Sequence, residues 1–420
     1  MHKLSKKQSV LILRMALVVF AIVVAVVIYL VFFIHAKVSV EVVPTSAIVT
    51  LDNQPTAVVN GNASFVTTLG KHTLRVDSDN YVGYKEEINL TRGRNFSKKI
   101  TLTKAPEPIK ITSKANHIAI QDNNVFYQNP ENQLFYMKTI NFNTSGDNLI
   151  FEKQISSTPI NPSSTVIWSP DKDLLLVKSG SSVDLVDFKK YDFVHQSITH
   201  FGDYIGDIVW APDNSRIAYY YAPPSGERSL IFSDANNQNI FRAANLADLG
   251  IENPYIAFSP DSQYLTIIPR NTDFSKNKIY LMNVYTKEIK LLIDSSDQKE
   301  AVFSADSQKI IYSTYSSDSS NLLHQTLSVA NIDGSNIHSL GISAKASDIR
   351  YWQNANQIFL PIDLVRSKMI LVDIDSGKTL EFYFNGQKDS AINEIYLSND
   401  EKEAIYVSNW ELYFVKLISN

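Results

Sequence analysis

One short phrase is written four times in the middle of this chain, and it constrains the fold more than any other feature. Residues 167–177 read IWSPDKDLLLV, 209–221 read VWAPDNSRIAYYY, 257–268 read AFSPDSQYLTII and 302–313 read VFSADSQKIIYS. Each copy is an apolar run ending in an aromatic, a small pair, an aspartate, a polar turn and a second apolar run. The aromatics Trp168, Trp210, Phe258 and Phe303 recur every 42 to 48 residues. An apolar run, a turn and a second run make a β-hairpin. A hairpin repeated at this period is the mark of a four-stranded unit stacked around a ring. In each copy the aspartate (Asp171, Asp213, Asp261, Asp306) can accept a hydrogen bond from the backbone two residues on and so close the turn. The same carboxylate at the same turn of every unit is expected to be spread radially, far from its copies, and to serve structure instead of chemistry.

Third strands follow each copy: 182–188, 228–234, 278–284 and 326–332. Weaker copies lie at 117–140, 350–377 and 394–418, which brings the count to seven. The last copy has no fourth strand. The stretch PIKITS, residues 108–113, is a strand without a partner just before the first copy, and it is expected to supply the missing one. The SPD pattern resembles that of TolB-like β-propellers. The resemblance implies a seven-bladed β-propeller over 108–420, closed by its own N-terminal strand.

Residues 37–103 read as short β-branched runs with turn signals between them, in an all-β module of sandwich size. The stretch resembles the PEGA domain in Pro44, in VTLDN (49–53), in LGKHTLRV (69–76), in Tyr81 and in INLTRG (88–93). Asn53 and Asn80 stand where that family commonly has glycine, and asparagine tolerates left-handed backbone. The resemblance implies a non-catalytic surface module. Residues 104–107, at the start of KAPEPIK, read as a stiff linker.

Residues 15–34 are twenty uncharged residues, long enough at about 1.5 Å per residue to cross a hydrocarbon core of roughly 30 Å. Lys3, Lys6, Lys7 and Arg14 precede them. The expectation is a cytoplasmic tail at 1–9, a retained signal-anchor helix at 10–36, and the bulk of the chain outside the cell membrane. The fold class expected is therefore all-β behind a single transmembrane helix.

Composition excludes several functions. A net charge of −4 argues against nucleic acid as a partner. The absence of cysteine excludes disulfides, thiolate metal sites and a cysteine nucleophile. There is no G-x-S-x-G, no P-loop and no dinucleotide fingerprint. SPDK (169–172) and SKNK (275–278) match S-x-x-K only in spacing, because neither lies on a helix. The loops NIDGSN (331–336) and DIDSGK (373–378) resemble calcium loops, but the turn reading of both is favoured. No cofactor is expected. The function expected is a membrane-anchored, non-catalytic scaffold of the bacterial envelope. Its partners would be envelope proteins or cell-wall glycan, recognised by loops at 219–228, 269–278 and 313–325. The alternative is a glycan hydrolase or lyase, with carboxylates at the propeller funnel. Asp207, Glu300, Asp348 and Glu394 each lie just before an inner strand and are the candidates for an acidic ring there.

Overall fold

The computed structural model describes residues 15–24 and most of 35–416; the longest stretches left out are 141–148, 180–185, 271–277, 362–367 and 384–391. The chain forms two compact units, Met1–Ala105 and Pro106–Asn420. Residues 15–24 are helical and exposed. Among the described residues no helix is long and apolar enough to cross a membrane. Residues 1–14 and 25–34, and with them most of the expected tail and span, lie outside the described residues. One boundary is corrected. His35 and Ala36, placed by the sequence reading at the end of the span, open the strand His35–Val43. Ala36 is buried because it continues the inward-facing series Val38, Val40, Val42 of that strand.

The first unit is a sandwich of a three-stranded and a four-stranded sheet. His35–Val43 is central in the smaller sheet, antiparallel to Asn62–Thr68 and parallel to Phe96–Thr101. Its core is Val38, Val40 and Val49 against Leu74, Val76 and Ile88. The turn after Ile48–Leu51 places Asp52 at φ 51° and Asn53 at φ 64°, the left-handed region that asparagine tolerates. Asp52 ties this turn to the next strand. One carboxylate oxygen accepts the Thr73 N–H at 2.8 Å, and the other lies 2.6 Å from His72 Nδ1. His72 and the Thr73 N–H hold the Asp52 carboxyl below the usual carboxylate range. A depressed carboxylate contributes stability above its unfolded value, near 4, and loses it as pH falls through the depressed value. Asp52→Asn should therefore lower the stability of this unit at neutral pH, with the difference closing between about pH 5 and pH 2. Urea unfolding followed by circular dichroism reads this. All four tryptophans lie beyond residue 106, so their fluorescence reports the second unit separately.

Among the described residues the second unit is built from six antiparallel sheets: I (116–154), II (166–245), III (255–294), IV (298–343), V (351–383) and VI (392–416). Sheet II has seven strands and the others four. Its long central strand, Ser197–Trp210, pairs through its first part with Val186–Asp192 and through its second with Ile217–Tyr221. It thus ends one repeat and begins the next. Sheet VI takes its fourth strand from the other end of the unit: Ile109–Ser113 pairs with Glu411–Lys416.

Apolar packing runs from sheet to sheet without a break. Phe135 and Ile160 meet Leu175 and Tyr191 between I and II. Leu176 and Phe188 meet Trp210 and Ile217 within II. Phe232 and Leu230 meet Leu265 and Met282 between II and III. Ile279 and Leu281 meet Phe303 and Ile310 between III and IV. Leu327 and Val329 meet Ile358 and Val372 between IV and V. Phe359 meets Ile395 and Tyr406 between V and VI. Finally Ile111, Leu412 and Phe414 meet Val125 and Tyr127, joining the last sheet to the first. A row of sheets whose last packs on its first has no free end, which is how such folds dispose of exposed edges.

Candidate functional site

The antiparallel order gives the ring two ends. At one lie the SPD turns between first and second strands. Each has the same construction. Lys172, Asn214, Ser262 and Ser307 donate N–H to the carbonyl of Ser169, Ala211, Ser259 and Ser304, at 2.9 to 3.1 Å. Those four donors all have φ between 59° and 62°. The aspartate accepts the N–H two residues on: Asp173 to Asp171 at 3.2 Å, Ser215 to Asp213 at 3.0 Å, Gln263 to Asp261 at 3.1 Å and Gln308 to Asp306 at 3.0 Å. Where the first residue is serine, its buried hydroxyl adds two bonds. Ser304 Oγ donates to Asp306 at 2.6 Å and accepts the Lys309 N–H at 2.8 Å.

The expectation that these turns lie far apart needs correction. Asn214 Nδ2 donates to Asp171, the Asp213 N–H donates to Ser262 Oγ at 3.1 Å, and the Asp261 N–H donates to Ser307 Oγ at 3.0 Å. The turns form a chain from one sheet to the next, because first strands face the middle of the ring, where neighbouring sheets are closest. Each carboxylate still closes its own turn, and Asp171 uses its second oxygen on Asn214 of the next one. In the SPDK turn Lys172 Nζ donates to backbone carbonyls and Ser169 Oγ donates to Asp171, so serine and lysine do not address each other. Ser304→Ala should cost about 1–3 kcal/mol by leaving the Lys309 N–H without its acceptor. Asp306→Asn, which keeps an acceptor oxygen, should cost less than half of that. Thermal unfolding of the two variants measures the ratio, and an aspartate holding a ligand would reverse it.

The aromatics pack between sheets. Trp168 stacks on Phe193 at 5.4 Å, meets Phe135 edge-on at 5.3 Å and donates Nε1–H to the His117 carbonyl at 3.0 Å. Trp210 and Phe303 are buried in their inter-strand clusters, and Phe258 lies 6.2 Å from Phe232.

At the other end, first strands begin and second strands lead into third strands. Asp207 accepts the Ile256 N–H at 2.9 Å, and Glu300 accepts the Ser347 N–H at 3.1 Å. Both therefore fasten the start of one repeat to the start of the next. Asp348 ends the short 3-10 turn Ala346–Asp348 and accepts the Lys345 N–H at 3.3 Å. Glu394 lies in strand Ile392–Leu397 opposite Val407, and its side chain is outside the described residues. Among the described residues no three histidine or acidic side chains form a metal cage. The carboxylates of the two calcium-like loops close turns: Asp333 accepts the Ser335 N–H at 2.8 Å, and Asp373 accepts the Ser376 N–H at 2.8 Å. Burial raises the Asp207 carboxyl above the ordinary carboxylate range, against the Ile256 N–H and Arg270, which lower it.

The loops at this end differ from expectation in one place. Residues 313–325 are mostly strand, with Ser313 to Ser317 paired to Leu327 through Leu323. The Ser/Thr/Tyr run continues the ladder because its backbone groups find partners across the hairpin. Its tip, 318–322, and most of 269–278 lie outside the described residues. The loop after Ile217–Tyr221 is held by the Gly226 N–H, which donates to the Pro223 carbonyl at 3.1 Å, and by the Ser229 hydroxyl, which donates to Glu227 Oε1 at 2.7 Å. Three exposed aromatics stand at the same end: Tyr204, Tyr255 and Trp410. Tyr204 has φ 56° and Trp410 φ 66°. A bulky residue in left-handed backbone is an outlier that persists only where its surroundings fix it. The sequence reading places Arg270 in the recognition loop 269–278 but does not pair it with Tyr255, since no repeat or motif links the two.

Comparison with known proteins places a PEGA domain at residues 35–106. No curated protein matches the chain by sequence. Among solved structures it is similar to a hydrazine synthase structure from Kuenenia stuttgartiensis, at 12% identity and TM-score 0.49, over 74% of this chain and 98% of that one. It is similar to TolB from Acinetobacter baumannii at 11% identity and TM-score 0.41, over 75% of this chain and 77% of that one.

Proposed function

From a PEGA domain at 35–106 followed by an all-β unit with TolB-like neighbours, we propose a non-catalytic scaffold of the bacterial cell envelope. In this reading residues 10–34 anchor the chain in the membrane, the tail at 1–9 is cytoplasmic, and the rest lies outside. Sheet II counts as two repeats, so the second unit is a seven-bladed propeller. The observation that carries the reading is the contrast between its two ends. The turn end spends its repeated polar groups on the fold and exposes Phe241 and Tyr285 between third and fourth strands, whereas the loop end presents Tyr204, Tyr255 and Trp410 around the starts of first strands and the second-to-third connections. Exposed aromatics on a rigid frame suit recognition of envelope proteins or cell-wall glycan. Tethering the frame to a membrane raises the effective concentration of any partner there.

The test is crosslinking in intact cells with a photoreactive residue at 410 or 255, beside the same probe at Asp173 on the turn end. Specific adducts from the loop end alone support the scaffold. Equal adducts from both ends, or none, contradict it. A second reading, a glycan hydrolase or lyase, draws on the raised carboxyl of Asp207, a property of a general acid. It requires product release from envelope glycan that Asp207→Asn abolishes.

A further inference from the structure

Arg270 follows strand Tyr264–Ile268 at the loop end of sheet III. Its guanidinium carbon lies 3.6 Å from the centre of the Tyr255 ring. A guanidinium is a planar fork of five N–H donors, and stacking on an aromatic ring fixes its plane without using a donor. The described acceptor beside it is poor. Asp207 Oδ1 stands 3.7 Å from an Arg270 terminal nitrogen, while its other oxygen is taken by the Ile256 N–H at 2.9 Å. Arg270 Nε is buried, with no hydrogen-bond partner among the described residues. Asn253 Oδ1 is also buried, with no hydrogen-bond partner among the described residues. At Gly206 an added Cβ would come 2.7 Å from the Tyr220 ring and 3.0 Å from Asn253 Oδ1, so the backbone here admits no side chain. The Arg270 side chain is nevertheless 28% exposed, so solvent reaches it.

A guanidinium whose plane is fixed by a ring, whose described carboxylate stands as far as 3.7 Å away and whose side chain is reached by solvent keeps terminal donors for a further acceptor. We propose that Arg270, stacked on Tyr255 and only loosely engaged by Asp207, is an anion-binding site that takes a carboxylate. A carboxylate matches the guanidinium fork in plane and spacing and can accept two parallel N–H bonds. Tyr255 keeps the fork oriented when the site is empty, so little order has to be created on binding. Asp207 competes for the same donors and sets a ceiling on affinity. The site does not depend on the scaffold reading, since an enzyme could carry it equally well.

The probe is trifluoroacetate, observed by its 19F line width against the full chain, with inorganic phosphate observed in parallel by 31P. The wild type should broaden trifluoroacetate saturably, with half-saturation at about 1–10 mM, and unlabelled acetate should reverse it. Arg270→Gln should weaken binding about tenfold or more. Arg270→Lys keeps the charge but not the fork, guards against a folding defect in the first variant, and should lose most of the binding as well. Asp207→Asn should tighten binding several-fold. No saturable broadening in the wild type, or unchanged broadening in Arg270→Lys, overturns the proposal. Broadening of phosphate alone overturns the assignment to a carboxylate.

Discussion

Deleting residues 109–113 should unfold the second unit and leave the PEGA domain folded. The strand Ile109–Ser113 supplies the fourth strand of sheet VI, although some three hundred residues separate it from its partner Glu411–Lys416. Ile111 is 5% exposed and sits in the cluster that joins the last sheet to the first. Its removal loses the side-chain burial, about 2–5 kcal/mol for an isoleucine in a core. It also strips one strand ladder from sheet VI and uncovers Leu412 and Phe414, which are buried beneath it. A domain is stable by only about 5–15 kcal/mol, so these losses together take most of what the unit has. The tryptophan transition in urea should vanish while the circular dichroism transition of the first unit persists. Ile111→Asp should do most of this alone, because a carboxylate in that cluster has no partner. A tryptophan transition unmoved by the deletion would mean that the strand decorates the ring without closing it.

Trp168→Ala should destabilise the second unit by about 3–5 kcal/mol. The indole touches Phe126, Phe135 and Phe193 at 5.3 to 5.7 Å, so three rings of sheets I and II lose their common neighbour. Its Nε1–H also leaves the His117 carbonyl of the first strand of sheet I without a donor. Trp168→Phe keeps an aromatic ring there and loses the hydrogen bond and part of the ring volume, which should cost about 1–2 kcal/mol. Thermal melts of the two variants separate the terms. An aromatic held for a ligand would show the reverse pattern, with stability kept and binding lost.

The fold could be read where a local rule repeats. The SPD hairpins announce themselves because turn chemistry is local: an aspartate two residues before the N–H it accepts is visible in a line of text. The partner of Ile109–Ser113 could be inferred because the last repeat is one strand short, which is a matter of counting. Other features join distant residues and leave no local trace. Ser262 and Ser307 occupy left-handed positions that suit glycine or asparagine, and only the folded ring shows that their hydroxyls accept N–H groups of the preceding turn. Arg270 reaches Tyr255 across a hairpin and Asp207 across two sheets. The strand Ser197–Trp210 serves two repeats at once, and a reading by period divides it. The boundary at His35 was missed because the alternation of Ala36 with Val38 is hidden behind the long apolar run before it.

The most direct measurement of ring closure is a disulfide across the seam. The chain has no cysteine, so Ser113→Cys with Glu411→Cys introduces one pair, at positions that face each other in the ladder. Directly opposed residues of an antiparallel pair have Cβ atoms about 4.5–5.5 Å apart, close enough to bridge with a small adjustment. Mild oxidation of the folded double variant should crosslink it nearly completely and raise the denaturant midpoint of the tryptophan transition. Thiols that stay free in a chain with native fluorescence would show that the two ends of the second unit never meet.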